Sequence, residues 1–249
     1  MKYMGSKSRI AKYIVPIIQD YIDKNNIQVY IEPFGGGMNI IDKIKCSQKY
    51  GFDKNKYLIA LMQRVQSGEP LYEEVPKDLY DRARNAFNKN LSEFEDWEIG
   101  NIGFLASFNG RFFDGGYAKT GYEKTKNGQR LRNYYRESKD NILAQASNLK
   151  DINFQACDYK EIPNILNLSN TCIYADPPYQ NTKQYKNAID FDYDIFWQTM
   201  RDWSKDNIVL ISEENAPDDF ECIWEQEVSR SIKANDKSKS TEKLFKYRG

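Results

Sequence analysis

The chain has 249 residues, 40% of them hydrophobic and none of them histidine, with 36 Lys or Arg against 36 Asp or Glu. The lack of histidine removes Ser-His-Asp and Cys-His catalysis, histidine-bound zinc and a histidine general base together. No apolar run approaches the roughly 18 residues of a membrane span, and the length suits one large domain or a domain with an insertion.

Met1 is followed by Lys2 with no apolar core behind it, so no secretory leader is expected. Cys46, Cys157, Cys172 and Cys222 are scattered, with no Cys-x-x-Cys pair. They read as free or buried thiols of a reducing cytoplasm. The balanced total charge hides local patches. Residues 1–12 hold Lys2, Lys7, Arg9 and Lys12 and no acid. Residues 104–139 hold eight basic residues against Asp114, Glu123 and Glu137, and residues 229–249 hold seven against Asp236 and Glu242. Patches of this kind are what phosphate binding needs.

Tyr3-Met4-Gly5-Ser6-Lys7 precedes apolar residues at helical spacing: Ile10, Tyr13, Ile14, Ile17, Ile18 and Tyr21. Ser6 or Ser8 is the expected N-cap, and Pro16 is expected to interrupt or kink the helix. Val29-Tyr30-Ile31 reads as a strand, Glu32-Pro33-Phe34-Gly35-Gly36-Gly37 as a glycine-rich turn, and Met38-Asn39-Ile40-Ile41 as the start of a helix. That is the layout of a nucleotide-binding βα unit. The spacing is not Gly-x-Gly-x-x-Gly, and Glu32 would repel a pyrophosphate. The sulfonium and ammonium of S-adenosylmethionine fit it better. Asp53 falls where a second strand should end, placed to accept from ribose hydroxyls or to cap the helix through Tyr57, Leu58, Leu61, Met62 and Val65.

Residues 66–150 break the strand–helix alternation. Helices are predicted at 79–87 and 97–104. The aromatic stretch 104–117, with Asn109-Gly110 and Gly115-Gly116, predicts a hairpin or ordered loop. Arg130 and Arg132 follow, and Tyr134, Tyr135 and Arg136 lead into a helix through Ile142, Leu143 and Leu149. Residues 152–156 look like a third strand, ending in Cys157-Asp158-Tyr159.

The apolar run 172–175 reads as a buried strand that meets Asp176-Pro177-Pro178-Tyr179. The prolines end the ladder and stiffen a corner at the strand's carboxyl end. Asp176 offers a carboxylate, Pro177 a carbonyl and Tyr179 an aromatic face. Two acceptors beside a stacking platform suit a planar base with an exocyclic amino group. Gln180, Asn181, Thr182, Lys183 and Tyr185 form a polar segment able to close over such a base. Phe191, Ile195, Phe196, Met200 and Trp203 predict a helix at 191–203 with those residues in the core. A strand at 208–212 and a closing hairpin, 222–228 with 243–247, complete the chain, and the basic loop 233–239 between its arms is placed to touch phosphates.

Taken in order, Tyr3-Met4-Gly5-Ser6-Lys7, Glu32-Pro33-Phe34-Gly35-Gly36-Gly37 and Asp176-Pro177-Pro178-Tyr179 resemble the motifs of the Dam-type family of DNA adenine-N6 methyltransferases, particularly its compact phage and prophage members. The resemblance implies a Rossmann-like α/β fold with a mostly parallel sheet, closed by an antiparallel hairpin. It places a catalytic domain at 1–65 and 151–249 and a small, mostly helical target-recognition domain at 66–150. It implies methyl transfer from S-adenosylmethionine to adenine N6 in a short DNA sequence, with the base flipped out and no covalent intermediate. The implied cofactor residues are Tyr3, Gly5, Lys7, Glu32, Pro33, Phe34, Gly35, Gly37, Asp53, Asp158, Tyr159 and Asp176. The implied catalytic set is Asp176, Pro177, Pro178 and Tyr179. Asn109, Arg111, Lys119, Arg130, Arg132, Arg136 and Lys183 are the expected DNA contacts. The expected setting is a cytoplasmic monomer or weak dimer acting on double-stranded DNA, without metal or membrane, with a cognate restriction endonuclease as a candidate partner. Cytosine-N4 methylation shares the geometry, though its motif more often begins with Ser. A non-catalytic DNA or cofactor binder and, third, a nicotinamide oxidoreductase stay open at this point.

Overall fold

The computed structural model describes residues 1–125, 128–179, 191–229 and 239–249. The segment from Gln180 to Tyr185, Lys183 included, and most of the basic loop lie outside them. Seven strands form one sheet: β1 (Val29–Glu32), β2 (Gln48–Asp53), β5 (Ile152–Ala156), β6 (Thr171–Ala175), β7 (Ile208–Glu213), β8 (Phe220–Ser229) and β9 (Lys239–Tyr247). Their order is β5-β2-β1-β6-β7-β9-β8.

The first five strands in that order run parallel. Ile31 is level with Tyr50 of β2 and Ile173 of β6, and Ala175 is level with Ile211 of β7. β9 is antiparallel to both its neighbours, with Glu213 level with Lys243. The parallel strands therefore all end at one edge, and β9 begins there. The connection order reverses between β1 and β6, the switch point where open α/β sheets bind ligands.

Central strands of such a sheet are apolar on both faces, and all five residues of β6 are buried. Tyr30, Cys172, Tyr174, Leu210 and Leu244 face a core built with α1 (Ala11–Lys24), α2 (Lys56–Ser67) and α5 (Tyr134–Leu149). Their neighbours Ile31, Ile173, Ala175, Ile211 and Phe245 face a second core with Phe196, Trp197, Met200 and Trp203 of α7 (Tyr193–Trp203). The two-residue period of a strand thus divides the interior into two layers.

Residues 66–150 contribute α3 (Lys77–Lys89), α4 (Asp96–Gly100) running into a π-helical turn at Asn101–Leu105, a two-stranded hairpin of β3 (Gly121–Thr125) and β4 (Gly128–Arg132), and α5. A short helix, α6 (Ile162–Ile165), precedes β6. No described helix is long and apolar enough to cross a membrane.

Several local expectations are corrected. α1 runs uninterrupted through Pro16, because its buried stripe of Ile14, Ile18 and Ile22 stays on one face. Ser6 caps a 3-10 turn at Lys7–Arg9 instead of α1. No α-helix follows the glycine turn. Met38 takes a left-handed φ of 53°, which a right-handed helix cannot continue, and only a 3-10 turn at Ile41–Lys43 forms. Asn55, not Asp53, caps α2, accepting from the N–H groups of Tyr57 and Leu58 at 3.1 and 3.2 Å. Of the two forms expected for residues 104–117, the ordered loop is the one found, with left-handed Asn109 and Gly110 and an isolated bridge between Ser107 and Tyr117. The hairpin comes one segment later. Ile195 is exposed, and Trp197 takes its place in the core.

α2 and α4 pack so closely that a Cβ at Gly100 would stand 2.1 Å from the Tyr57 carbonyl oxygen. Backbone cannot yield there as a side chain could. Gly100→Ala should therefore cost about 1–3 kcal/mol of stability, read as a thermal midpoint several degrees below wild type; an unchanged midpoint would mean the helices part freely.

Candidate active site

The parallel edge gathers groups from distant parts of the chain. Asp176 follows the last residue of β6, and Lys7 reaches it from the 3-10 turn before α1. The Lys7 side chain is 7% exposed, and its Nζ lies 3.0 Å from Asp176 Oδ1 and 3.5 Å from Oε2 of Glu242 on β9. The same Nζ stands 4.3 Å from the centroid of the Tyr179 ring. The Tyr179 hydroxyl donates to Glu242 Oε2 at 2.8 Å. The Tyr193 hydroxyl donates to the Pro178 carbonyl at 2.7 Å. The Asp-Pro-Pro-Tyr corner is thus tied to β9, to α7 and to the N-terminal turn.

Beside it, across the switch point, lies the glycine turn. Gly35 N–H donates to the Phe52 carbonyl at 2.7 Å. Gly36 N–H donates to Asp53 Oδ2 at 3.0 Å, and Asn55 N–H to Asp53 Oδ1 at 2.8 Å. Gly36 has φ 49°, and a Cβ there would meet the Tyr3 ring at 3.0 Å, so turn and tyrosine need a glycine between them. Glu32 ends β1 with 3% exposure and accepts from the Tyr30 hydroxyl at 2.8 Å. Asp158 caps a 3-10 turn through the Lys160 N–H and pairs with Lys54 at 3.2 Å. Phe34 packs on Tyr159 and Phe191 at 5.2 and 5.9 Å between ring centroids.

This donor set is three carboxylates along one edge beside an aromatic wall. It fits S-adenosylmethionine, which has cationic groups and ribose hydroxyls for the acids and a flat base for the rings. Asp53 keeps a second lone pair on each oxygen beyond its two N–H bonds, which is what a ribose diol requires.

The expected residues therefore sort into two groups. Tyr3, Glu32, Pro33, Phe34, Gly35, Gly37, Asp53, Asp158 and Tyr159 surround the turn. Gly5 stands in a left-handed turn before Lys7, and Lys7 itself meets the Asp176 corner. Glu242, Glu213 and Tyr193 were not among the expected site residues. Glu242 reads in sequence as one charge on an alternating strand, and nothing local marks it. Of the expected DNA contacts, Asn109 is exposed and left-handed, Arg130 and Arg132 pair with Glu137, and Arg132 lies 4.1 Å over the Tyr134 ring. Arg111 is half-buried, and its Nε has no hydrogen-bond partner among the described residues. Lys119 and Arg136 are exposed.

Burial dominates the electrostatics. It pushes the Asp176 carboxyl up to about 6, against the pull of Lys7 and with the help of the Glu242 charge. Burial alone would lower Lys7, but the two carboxylates outweigh it and raise it, so the ammonium stays charged. Glu32 and Asp53 are likewise raised by burial, which their hydrogen bonds only partly offset.

Glu213, at the end of β7, is 5% exposed. Its Oε1 accepts the Glu214 N–H at 2.9 Å, while Oε2 has no hydrogen-bond partner among the described residues. Burial raises its carboxyl to about 7. A group raised on folding stabilises fully below its unfolded value, and that stability is lost as pH rises through the folded one. Glu213→Gln should accordingly be more stable than wild type at pH 8, by roughly 3 kcal/mol, and little different at pH 4. Thermal melts at both pH values check this, and a difference independent of pH would contradict it.

Residues 3–209 match the family described as D12 class N6 adenine-specific DNA methyltransferase. Over 219 residues the chain is 24% identical to the type II methyltransferase M.MjaIII of Methanocaldococcus jannaschii, covering 78% of this chain and 74% of that protein. Among solved structures, SMU.472, complexed with SAH, aligns at 11% identity with a TM-score of 0.38. That alignment covers 96% of this chain and 53% of the other, so the chain spans about half its length, and so slight a likeness says nothing about function. The family match takes in the N-terminal, glycine and Asp-Pro-Pro-Tyr motifs together. The chain belongs to the D12 class of N6 adenine-specific DNA methyltransferases, and its cofactor is S-adenosylmethionine.

Proposed function

We propose that the corner after β6 receives an adenine flipped out of duplex DNA, and that methyl transfer to its N6 is direct. Family membership supplies the reaction. What supports this placement is the convergence at Lys7: one nitrogen both bonds to Asp176 and stands over the Tyr179 ring. An amino group and a stacked ring would meet the same two partners in the same space.

The adenine amino lone pair is delocalised into the ring and is a poor nucleophile. Asp176 and the Pro177 carbonyl accept its two hydrogens, which favours a pyramidal nitrogen with its lone pair aimed outward. Tyr179 stacks on the base and fixes its plane. S-adenosylmethionine, when bound, supplies an electrophilic methyl group and leaves as the neutral thioether, while N6 sheds one proton to Asp176 or to water. The chain's contribution is alignment and fixed electrostatics in a buried site. Glu32 and Asp53 serve the cofactor's ammonium and ribose, Asp158 its adenine amino group, and Phe34 and Tyr159 its ring.

Residues 66–150 serve target recognition. The support lies in the loop carrying Asn109 and Arg111 and in the β3–β4 hairpin, where Tyr122 and Leu131 are cross-strand partners, 74% and 57% exposed. Exposed apolar groups beside basic residues suit a wedge into stacked bases. The protein acts as a cytoplasmic monomer or weak dimer, with a restriction endonuclease as a candidate partner.

Asp176→Ala should lower methyl transfer at least about 100-fold while binding of S-adenosylmethionine changes little. Radiolabel transfer and equilibrium binding measure the two separately, and equal loss of both would assign Asp176 to the fold or the cofactor. In the wild type the transfer rate should fall as pH drops through about 6, where Asp176 takes a proton and ceases to be a full acceptor. A flat profile between pH 5 and 8 would count against the acceptor role.

A further inference from the structure

Glu242 lies beyond the stretch that matches the family, on the antiparallel strand β9, yet it touches two parts of the base site. Its Oε2 accepts the Tyr179 hydroxyl at 2.8 Å and stands 3.5 Å from Lys7 Nζ. Lys7 in turn holds Asp176 Oδ1 at 3.0 Å. One buried cation is therefore shared by two carboxylates.

That sharing bears on how a base can enter. An adenine amino group that bonds to Asp176 Oδ1 competes there with Lys7. A buried ammonium stripped of counter-charge is strongly unfavourable, so Lys7 can leave Asp176 only toward another anion. Glu242 removes this obstacle. It is already within reach of the ammonium, so a short swing of the lysine side chain releases Asp176 without unpairing the charge. It is carried by β9, held by its ladders to β7 and β8, and does not belong to the corner that receives the base. Its bond to the Tyr179 hydroxyl meanwhile fixes the ring on which the base would stack. No proton need move in this exchange.

We propose that Glu242 is a positioning residue of the methyl transfer, which orients Tyr179 and takes over the Lys7 ammonium when Asp176 receives the adenine amino group. This rests on the reading of Asp176 and Tyr179 as the base site. Other charged or titratable groups around Asp176 are Glu32 of β1, Tyr174 of β6 and Glu213 of β7. Among the described residues none of these forms an ion pair with Lys7, whose charge acts on Glu213 only from a distance, which is why Glu242 is singled out.

The test compares Glu242→Gln and Glu242→Asp with wild type in steady-state methylation of DNA by labelled S-adenosylmethionine. Gln can still accept the Tyr179 hydroxyl but cannot pair the lysine; Asp keeps the charge at shorter reach. Expected is kcat in the order wild type, Asp, Gln, with Gln down roughly 10- to 100-fold. KM for S-adenosylmethionine and the thermal midpoint should be near wild type. A Gln variant within twofold of wild-type kcat overturns the proposal. So does Gln outperforming Asp, or a loss of cofactor binding in step with kcat. Asp176→Asn, assayed alongside, separates the two claims. Full activity there sinks the base-site reading itself, whereas its loss together with a wild-type Gln variant rejects only the role of Glu242.

Discussion

A single buried ammonium between two carboxylates sets the terms for the site. Lys7 is almost wholly removed from water, and a charge in that position persists only when paired. Its pairing draws together the turn before α1, the end of β6 and the start of β9. With one cation for two anions, burial is not fully compensated, and the Asp176 carboxyl is held above the ordinary range of an aspartate. The same shortage of positive charge makes the corner receptive to an incoming amino group.

Strand direction is what makes this possible. β1, β2 and β6 are parallel, so Glu32, Asp53 and Asp176 are delivered to one edge of the sheet. β9 runs the other way and starts at that edge, which lets a residue near the end of the chain meet one near its beginning. The reversal of strand order between β1 and β6 sets the glycine turn and the Asp-Pro-Pro-Tyr corner side by side. A methyl donor and an acceptor base held in those two places would be neighbours, the proximity that a transfer without a covalent intermediate requires.

Much of this was legible in the sequence, for identifiable reasons. The central strands β1 and β6 announce themselves as short apolar runs ending at Glu32 and Asp176, because a strand covered on both faces is largely apolar, whereas β2 is half polar and Asp53 is placed by its distance from the glycine turn. The three motifs identified the family, whose profile also decides against the cytosine-N4 and oxidoreductase readings. What escaped depends on tertiary context. Met38 ends the βα pattern through a left-handed backbone angle that its own side chain does not advertise. The aromatics at 104–117 take the loop form, one of the two the sequence allowed, because Phe104, Phe112 and Phe113 are needed in the core, and what escaped is the hairpin of more polar residues that follows. Glu242 became visible only through the β7–β9 register, for a lone acid between threonine and lysine reads as a solvated charge.

The most direct test of the account is the product itself. Methyl groups from labelled S-adenosylmethionine should be transferred to unmethylated genomic DNA, the DNA digested, and its nucleosides separated. Label is expected in N6-methyladenine alone, at positions sharing a short sequence. Label in N4-methylcytosine, or none despite demonstrated cofactor binding, would contradict it.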